Sequence, residues 1–116
     1  MSLIATPACL IEGAELTGSA ATYYTSPTAT TTIIDNLTLT NTDSSSHTVT
    51  LYLVANGGTA GTANTILSAI SVGSNTCLQV SALQYHVLAP GDFISALASS
   101  ASVVIIRASG RQCVSS

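Results

Sequence analysis

Serine, histidine and aspartate are the residue types from which nucleophilic acyl transfer is built, and this 116-residue chain contains all three. With 17 serines their mere presence carries little weight, and no Gly-x-Ser-x-Gly elbow sets one of them on a strand-to-helix turn. His47 opens a predicted strand and His86 stands between Tyr85 and Val87, so each reads as a sheet or turn residue, not as a base or metal ligand. The carboxylates Glu12, Glu15, Asp35, Asp43 and Asp92 are scattered. Glu12 and Glu15 do not make a convincing acid/base pair, and Asp43 and Asp92 fall in turns, where Asp bonds its own backbone.

The run Gly57-Gly58-Thr59-Ala60-Gly61 lacks the lysine and the following helix of a phosphate loop. Cys9, Cys77 and Cys113 form no CxxC or other ligand spacing, and three thiols cannot all pair within one chain. Free thiols are the expectation. Asn36-Leu37-Thr38 matches a glycosylation sequon but sits inside a predicted strand. No catalytic residue, metal site or cofactor is expected, and the chain does not read as an enzyme.

The charge balance narrows the partners. Arg107 and Arg111 are the only basic side chains besides the histidines, lysine is absent, and five carboxylates give a net charge of −3. Binding phosphates takes clustered Lys or Arg, so neither nucleic acid nor an anionic membrane surface is an expected direct partner. No apolar run reaches the length of a spanning helix, about 20 residues. Residues 1–12 have no basic segment before a short apolar stretch that Pro7 interrupts, which reads as cytoplasmic synthesis without secretion.

What remains for function is contact. Tyr23, Tyr24, Tyr52 and Tyr85 combine broad apolar area with a polar tip, as interface residues do. Tyr23 and Tyr24 are adjacent in a predicted strand, so one is expected to face inward and one outward. Leu3 and Ile4 lie in an apolar N-terminal arm able to order on a neighbour, and Arg107 and Arg111 are placed to meet acidic groups of a partner. These six residues, Leu3, Ile4, Tyr23, Tyr24, Arg107 and Arg111, are the candidate contact set.

The elements that must position them are strands. Ser and Thr together number 34, hydrophobic residues make up 47%, and mean hydropathy is +0.53. Thr and Val suit pleated sheet and Ser suits turns, while the residues of long helices are scarce. At 32–54, the arms TIIDNLTLTNT and HTVTLYLV flank a polar link and read as a β-hairpin. Leu37 and Leu39 alternate with Thr38 and Thr40, and Val49, Leu51 and Leu53 with Thr48, Thr50 and Tyr52, giving one aliphatic and one hydroxyl-rich face.

Ala8–Ile11 and Ala20–Thr25 are strand candidates upstream. Ala55–Thr65 is a loop, followed by short strands at Ile66–Ile70, Thr76–Val80, Gln84–Leu88, Phe93–Ala98 and Ser102–Ala108. Ala89-Pro90-Gly91-Asp92 has the residues of a type II turn. About eight short strands without a helical period predict an all-β fold, a single antiparallel β-sandwich of the jelly-roll kind. An immunoglobulin-like sandwich is second, lacking Trp and a convincing Cys pair. The expected organisation is an N-terminal arm at 1–7, the sandwich at 8–110 and a C-terminal tail at 111–116.

Four segments, Leu37–Thr42, Thr48–Val54, the Gly-rich Asn56–Ala63 and Pro90–Ala96, together resemble the small β-sandwich virion proteins of tailed phages, most closely the capsid cement or decoration proteins of short-tailed phages. The resemblance implies a virion structural protein on the capsid exterior, made in the host cytoplasm, that binds the major capsid protein and stabilises the assembled head. The apolar N-terminal arm and the scarcity of charge on the predicted sheet edges point to a homo-oligomer, a homodimer or homotrimer. A tail or tail-fibre component is the alternative. A carbohydrate-binding sandwich module ranks lower because it needs an exposed aromatic platform.

Overall fold

The computed structural model describes the backbone of residues 3–115 and the side chains of residues 4–114. Nine strands follow in order: β1 (Leu3–Glu15), β2 (Ala21–Thr25), β3 (Thr30–Asn41), β4 (His47–Val54), β5 (Thr65–Val72), β6 (Cys77–Gln79), β7 (Val87–Leu88), β8 (Phe93–Ala98) and β9 (Val104–Ser115). The only helical elements among the described residues are single 3-10 turns at 62–64 and 81–83. All the strand pairs are antiparallel.

One sheet runs β1-β9-β3-β6, with β7 also on β3, and the other runs β2-β8-β4-β5. β6 and β7 behave as one interrupted strand along β3: between them Val80 N–H donates to Leu37 O, Tyr85 N–H to Ile34 O and Ile34 N–H to His86 O. Counted so, the chain is an eight-stranded double-sheet jelly roll, and the expected fold class is the one observed.

The core lies between the sheets. Ile34, Leu37, Leu39 and Ile106 from the first sheet meet Val49, Leu51, Ile94 and Ala96 from the second, all fully buried. Burying one such aliphatic side chain stabilises the fold by about 1.5–3 kcal/mol. The alternation seen in the sequence sets the middle of this arrangement, where Leu37 and Leu39 of β3 and Val49 and Leu51 of β4 point inward, while Thr30, Thr32 and Asn41 are inward polar residues of β3.

The expected hairpin at 32–54 is not one. β3 pairs with β9, β6 and β7, whereas β4 pairs with β5 and β8, so residues 42–46 arch from one sheet to the other. Two amphipathic strands can bury their aliphatic faces side by side or face to face across a core, and period-two alternation is the same in both cases.

The boundaries drawn at residues 7 and 111 do not coincide with breaks in pairing. Residues Leu3–Pro7 pair with Ser115–Arg111, and Thr30–Ile33 continue the same ladder on the other side of β9. Isolated short segments would not order alone, but here each terminal stretch supplies the ladder partner that the other lacks. The type II turn is as expected: Gly91 has φ 87° and Asp92 N–H donates to Ala89 O at 2.9 Å.

Candidate contact surface

At one end of the roll the first sheet carries a three-stranded extension made by the start of β1, the start of β3 and the end of β9. Paired residues share a face, so Ile4 and Val114 lie on the core-facing side, in the same row as Thr30. Ile4 is 48% exposed and Val114 37%, so this last row reaches past the cover of the second sheet. The backbone of Leu3 pairs with Ser115, and its side chain lies outside the described residues.

The two tyrosines do not divide between inside and outside. A register shift between Thr22 and Tyr24 places a bulge in β2, and both rings pack half-buried against the core. The Tyr23 hydroxyl donates to Glu15 O at 3.4 Å. The Tyr24 hydroxyl joins Thr32 Oγ1 at 2.9 Å and accepts from Gln112 Nε2 at 2.8 Å. Their polar tips are thus engaged within the chain, and they form no open aromatic platform of the kind a sugar-binding module presents.

Both arginines are also held by the chain itself. Arg107 Nη1 donates to Glu12 O at 2.8 Å, beside a shallow groove lined by Cys9, Asp35, Ser109 and Gly110. Arg111 forms a two-pronged contact with Asp35, Nη2 to Oδ1 at 2.9 Å and Nε to Oδ2 at 3.1 Å. Asp35 holds the Arg111 guanidinium proton more tightly than usual, first through these hydrogen bonds and then through its charge. Asp35 is the residue skipped in the ladder between Ile34 and Asn36, and this bulge turns its carboxylate toward Arg111.

Beside this ion pair stand two apolar side chains absent from the candidate contact set. Tyr85 is 66% exposed and Val87 57%, and Val87 sits opposite Ile33, itself opposite Arg111 and Pro7 across three strands. Tyr85 has φ 69°, a left-handed conformation that costs a bulky side chain about 1–3 kcal/mol. Its backbone is held there by the 2.6 Å bond to Ile34 O. Nothing in the sequence around Tyr85 announces that conformation, because a left-handed residue is usually Gly or Asn.

At the opposite end of the roll the fold gathers Asp43, His47 and Ser99. His47 Nε2 donates to Asp43 Oδ2 at 2.7 Å, and His47 Nδ1 lies 3.3 Å from Ser99 Oγ. The His47 hydrogen bond, then the Ser44 N–H, hold the Asp43 carboxyl below its ordinary range. The order of groups is that of a hydrolase triad. Ser99 Oγ, however, accepts the Thr48 N–H at 3.0 Å, and the Ser99 N–H that could serve an oxyanion donates to Thr48 O at 2.9 Å. The cluster ties the 42–46 arch to the β8–β9 connection. Sequence reasoning could not assemble it, since Ser99 lies 52 residues from His47.

Among the described residues no group of three or more His, Cys, Asp and Glu side chains could hold a metal ion. The three cysteines are free thiols.

No family model matches this chain, and no curated protein matches it in sequence. Its fold is similar to that of a chain in a structure of infectious bursal disease virus, Gx strain, with a TM-score of 0.53 and 12% identity over 97% of this chain and 31% of that one. A crystal structure of the T13 particle of the same virus is similar at a TM-score of 0.50 and 11% identity, again over 97% and 31%. The chain therefore spans about a third of the length of the chains it matches. Identity at this level speaks for a common jelly-roll architecture.

Proposed function

We propose that this chain is a structural protein of a virus particle, and more specifically a cement or decoration protein that binds an assembled phage head. The observation that carries the reading is a jelly roll of strand order β1-β9-β3-β6/β7 over β2-β8-β4-β5 in one small unit, whose fold is similar over 97% of the chain to chains of a virus, at TM-scores of 0.53 and 0.50. The segments Leu37–Thr42 and Pro90–Ala96, which resemble small virion proteins of tailed phages, closest to capsid cement proteins, supply the finer part. The partners on this reading are the major capsid protein and further copies of the chain, on the capsid exterior.

The physical character of the molecule fits the role. Its polar atoms are satisfied internally by short side chains, no buried side-chain nitrogen or oxygen among the described residues lacks a partner, and the outer sheet faces are rich in hydroxyl groups. Such a roll can repeat on a lattice.

The test is to purify the particles that encode this chain, separate heads from tails and count the chain in each fraction by quantitative mass spectrometry. Many copies on heads are expected. Copies confined to tails would replace the cement role by a tail role, and absence from both fractions would overturn the virion reading. A second arm removes residues 1–6. The loss of Leu3–Thr6, ladder partners of β9, is expected to weaken attachment to heads, and undiminished attachment would remove the terminal segment from the contact.

A further inference from the structure

Among the described residues, four of the five large hydrophobic side chains with high exposure, Ile4, Val114, Tyr85 and Val87, sit at the same end of the roll. Val87 and Tyr85 belong to the outer face of the first sheet, where Ile33, Pro7 and the Arg111–Asp35 pair complete the patch. Arg and Tyr beside exposed aliphatic groups are the residue types that anchor protein interfaces. Tyr85 holds a strained backbone conformation, and Tyr85 and Cys113 lie close enough to bear on the Arg111 guanidinium.

The charges identify the occupant. A partner of one charge sign would meet one attractive and one repulsive group here, because Arg111 and Asp35 stand side by side at 2.9 Å, each more than a third exposed. A second copy turned by a two-fold axis brings its own Asp35 over Arg111 and its own Arg111 over Asp35. The two pairs then form a ring of alternating charges, while each Val87 and Tyr85 covers apolar surface of the other copy. A two-fold interface requires such a self-complementary patch.

We propose that this chain associates as a two-fold dimer through the outer face of the first sheet, centred on Arg111 and Asp35. An overlap of about nine residues along the strands and four strands across covers about 600 Å² per copy, at the lower end of stable interfaces. The flat, short side chains Thr31, Asn36 and Ser109 allow two sheets to lie together without protruding lysines. The proposal deepens the structural-protein reading but is measured on the isolated chain, so either can fail without the other.

Sedimentation velocity over a concentration series up to about 100 μM gives the test. The wild-type chain is expected to dimerise. Arg111→Asp alone and Asp35→Arg alone place like charges across the axis, and each is expected to sediment as a monomer. An equimolar mixture of the two variants regains opposite charges across the axis and is expected to restore the dimer. A monomeric wild type, dimers from either single variant, or a mixture that stays monomeric would each overturn the proposal. Val87→Glu leaves the Arg111–Asp35 pair in place and guards against a charge variant that fails to fold. It is expected to weaken association at least about tenfold, and unchanged association would count against this face.

Discussion

The Tyr24 hydroxyl lies 2.9 Å from Thr32 Oγ1, a hydrogen bond that ties β2 of one sheet to β3 of the other inside the sandwich. Thr32 is fully buried, and its hydroxyl also contacts Ser26 Oγ at 2.8 Å, which donates onward to Thr30 O. Thr32→Val removes two hydrogen bonds, to Tyr24 and Ser26, and Tyr24→Phe also removes two, to Thr32 and from Gln112. The expected loss is about 2 kcal/mol for each variant. Urea unfolding of the two variants gives both values, and a loss near zero for either would contradict the sharing described.

Asn41 closes the opposite end. It is fully buried, its Nδ2 donates to Ser45 O at 2.8 Å and Val72 O at 3.0 Å, and its Oδ1 accepts the Asp43 N–H at 2.9 Å. Asn41→Leu leaves three backbone groups without this partner, so the expected cost is about 2–4 kcal/mol. Faster hydrogen exchange at Asp43 is the local readout.

The Asp43–His47 pair gives a pH dependence with a definite sign. The Asp43 carboxyl is held below its ordinary value of 3.8 in the folded chain, so its contribution to stability is present above that value and is lost as pH falls through the folded-state value. Asp43→Asn mimics the protonated group. The melting-temperature difference between wild type and Asp43→Asn is expected to shrink as pH is lowered from about 5 to about 2. A difference independent of pH would show that the ionised carboxylate contributes nothing.

Gly110 lies where β9 passes the bulge in β3. A Cβ at this position would collide with Ile33 O and crowd Leu10 Cδ1 at 3.1 Å. The neighbour is backbone within a paired ladder and cannot yield by a rotamer change. Gly110→Ala is therefore expected to cost about 1–3 kcal/mol, measured by thermal unfolding, and a neutral substitution would mean that the bulge relaxes freely.

The edges of the sheets qualify one expectation from composition. Charge is indeed scarce there, but β1 is blunted by other means. Pro7 has no N–H to offer a further strand, and register shifts after Cys9 and after Ile11 bend the strand. β2 is short and bulged, and β5 has two register shifts against β4. This is one reason for locating self-association on a sheet face instead of an edge.

The sequence by itself determined the class of the fold, the inward aliphatic residues Leu37, Leu39, Val49 and Leu51 of β3 and β4, and the turn at Ala89–Asp92. Each is encoded within a few neighbouring residues, by alternation in the strands and by Pro and Gly in the turn. Only the tertiary structure decided the pairing. It separated β3 from β4 into opposite sheets and laid Leu3–Pro7 against Ser115–Arg111. It also turned Arg107 and Arg111 onto Glu12 and Asp35, and Tyr24 onto Thr32. Those choices depend on contacts between residues far apart in the chain, where a bulge of one residue changes which face a side chain occupies. The composition of a single strand carries no record of its partner.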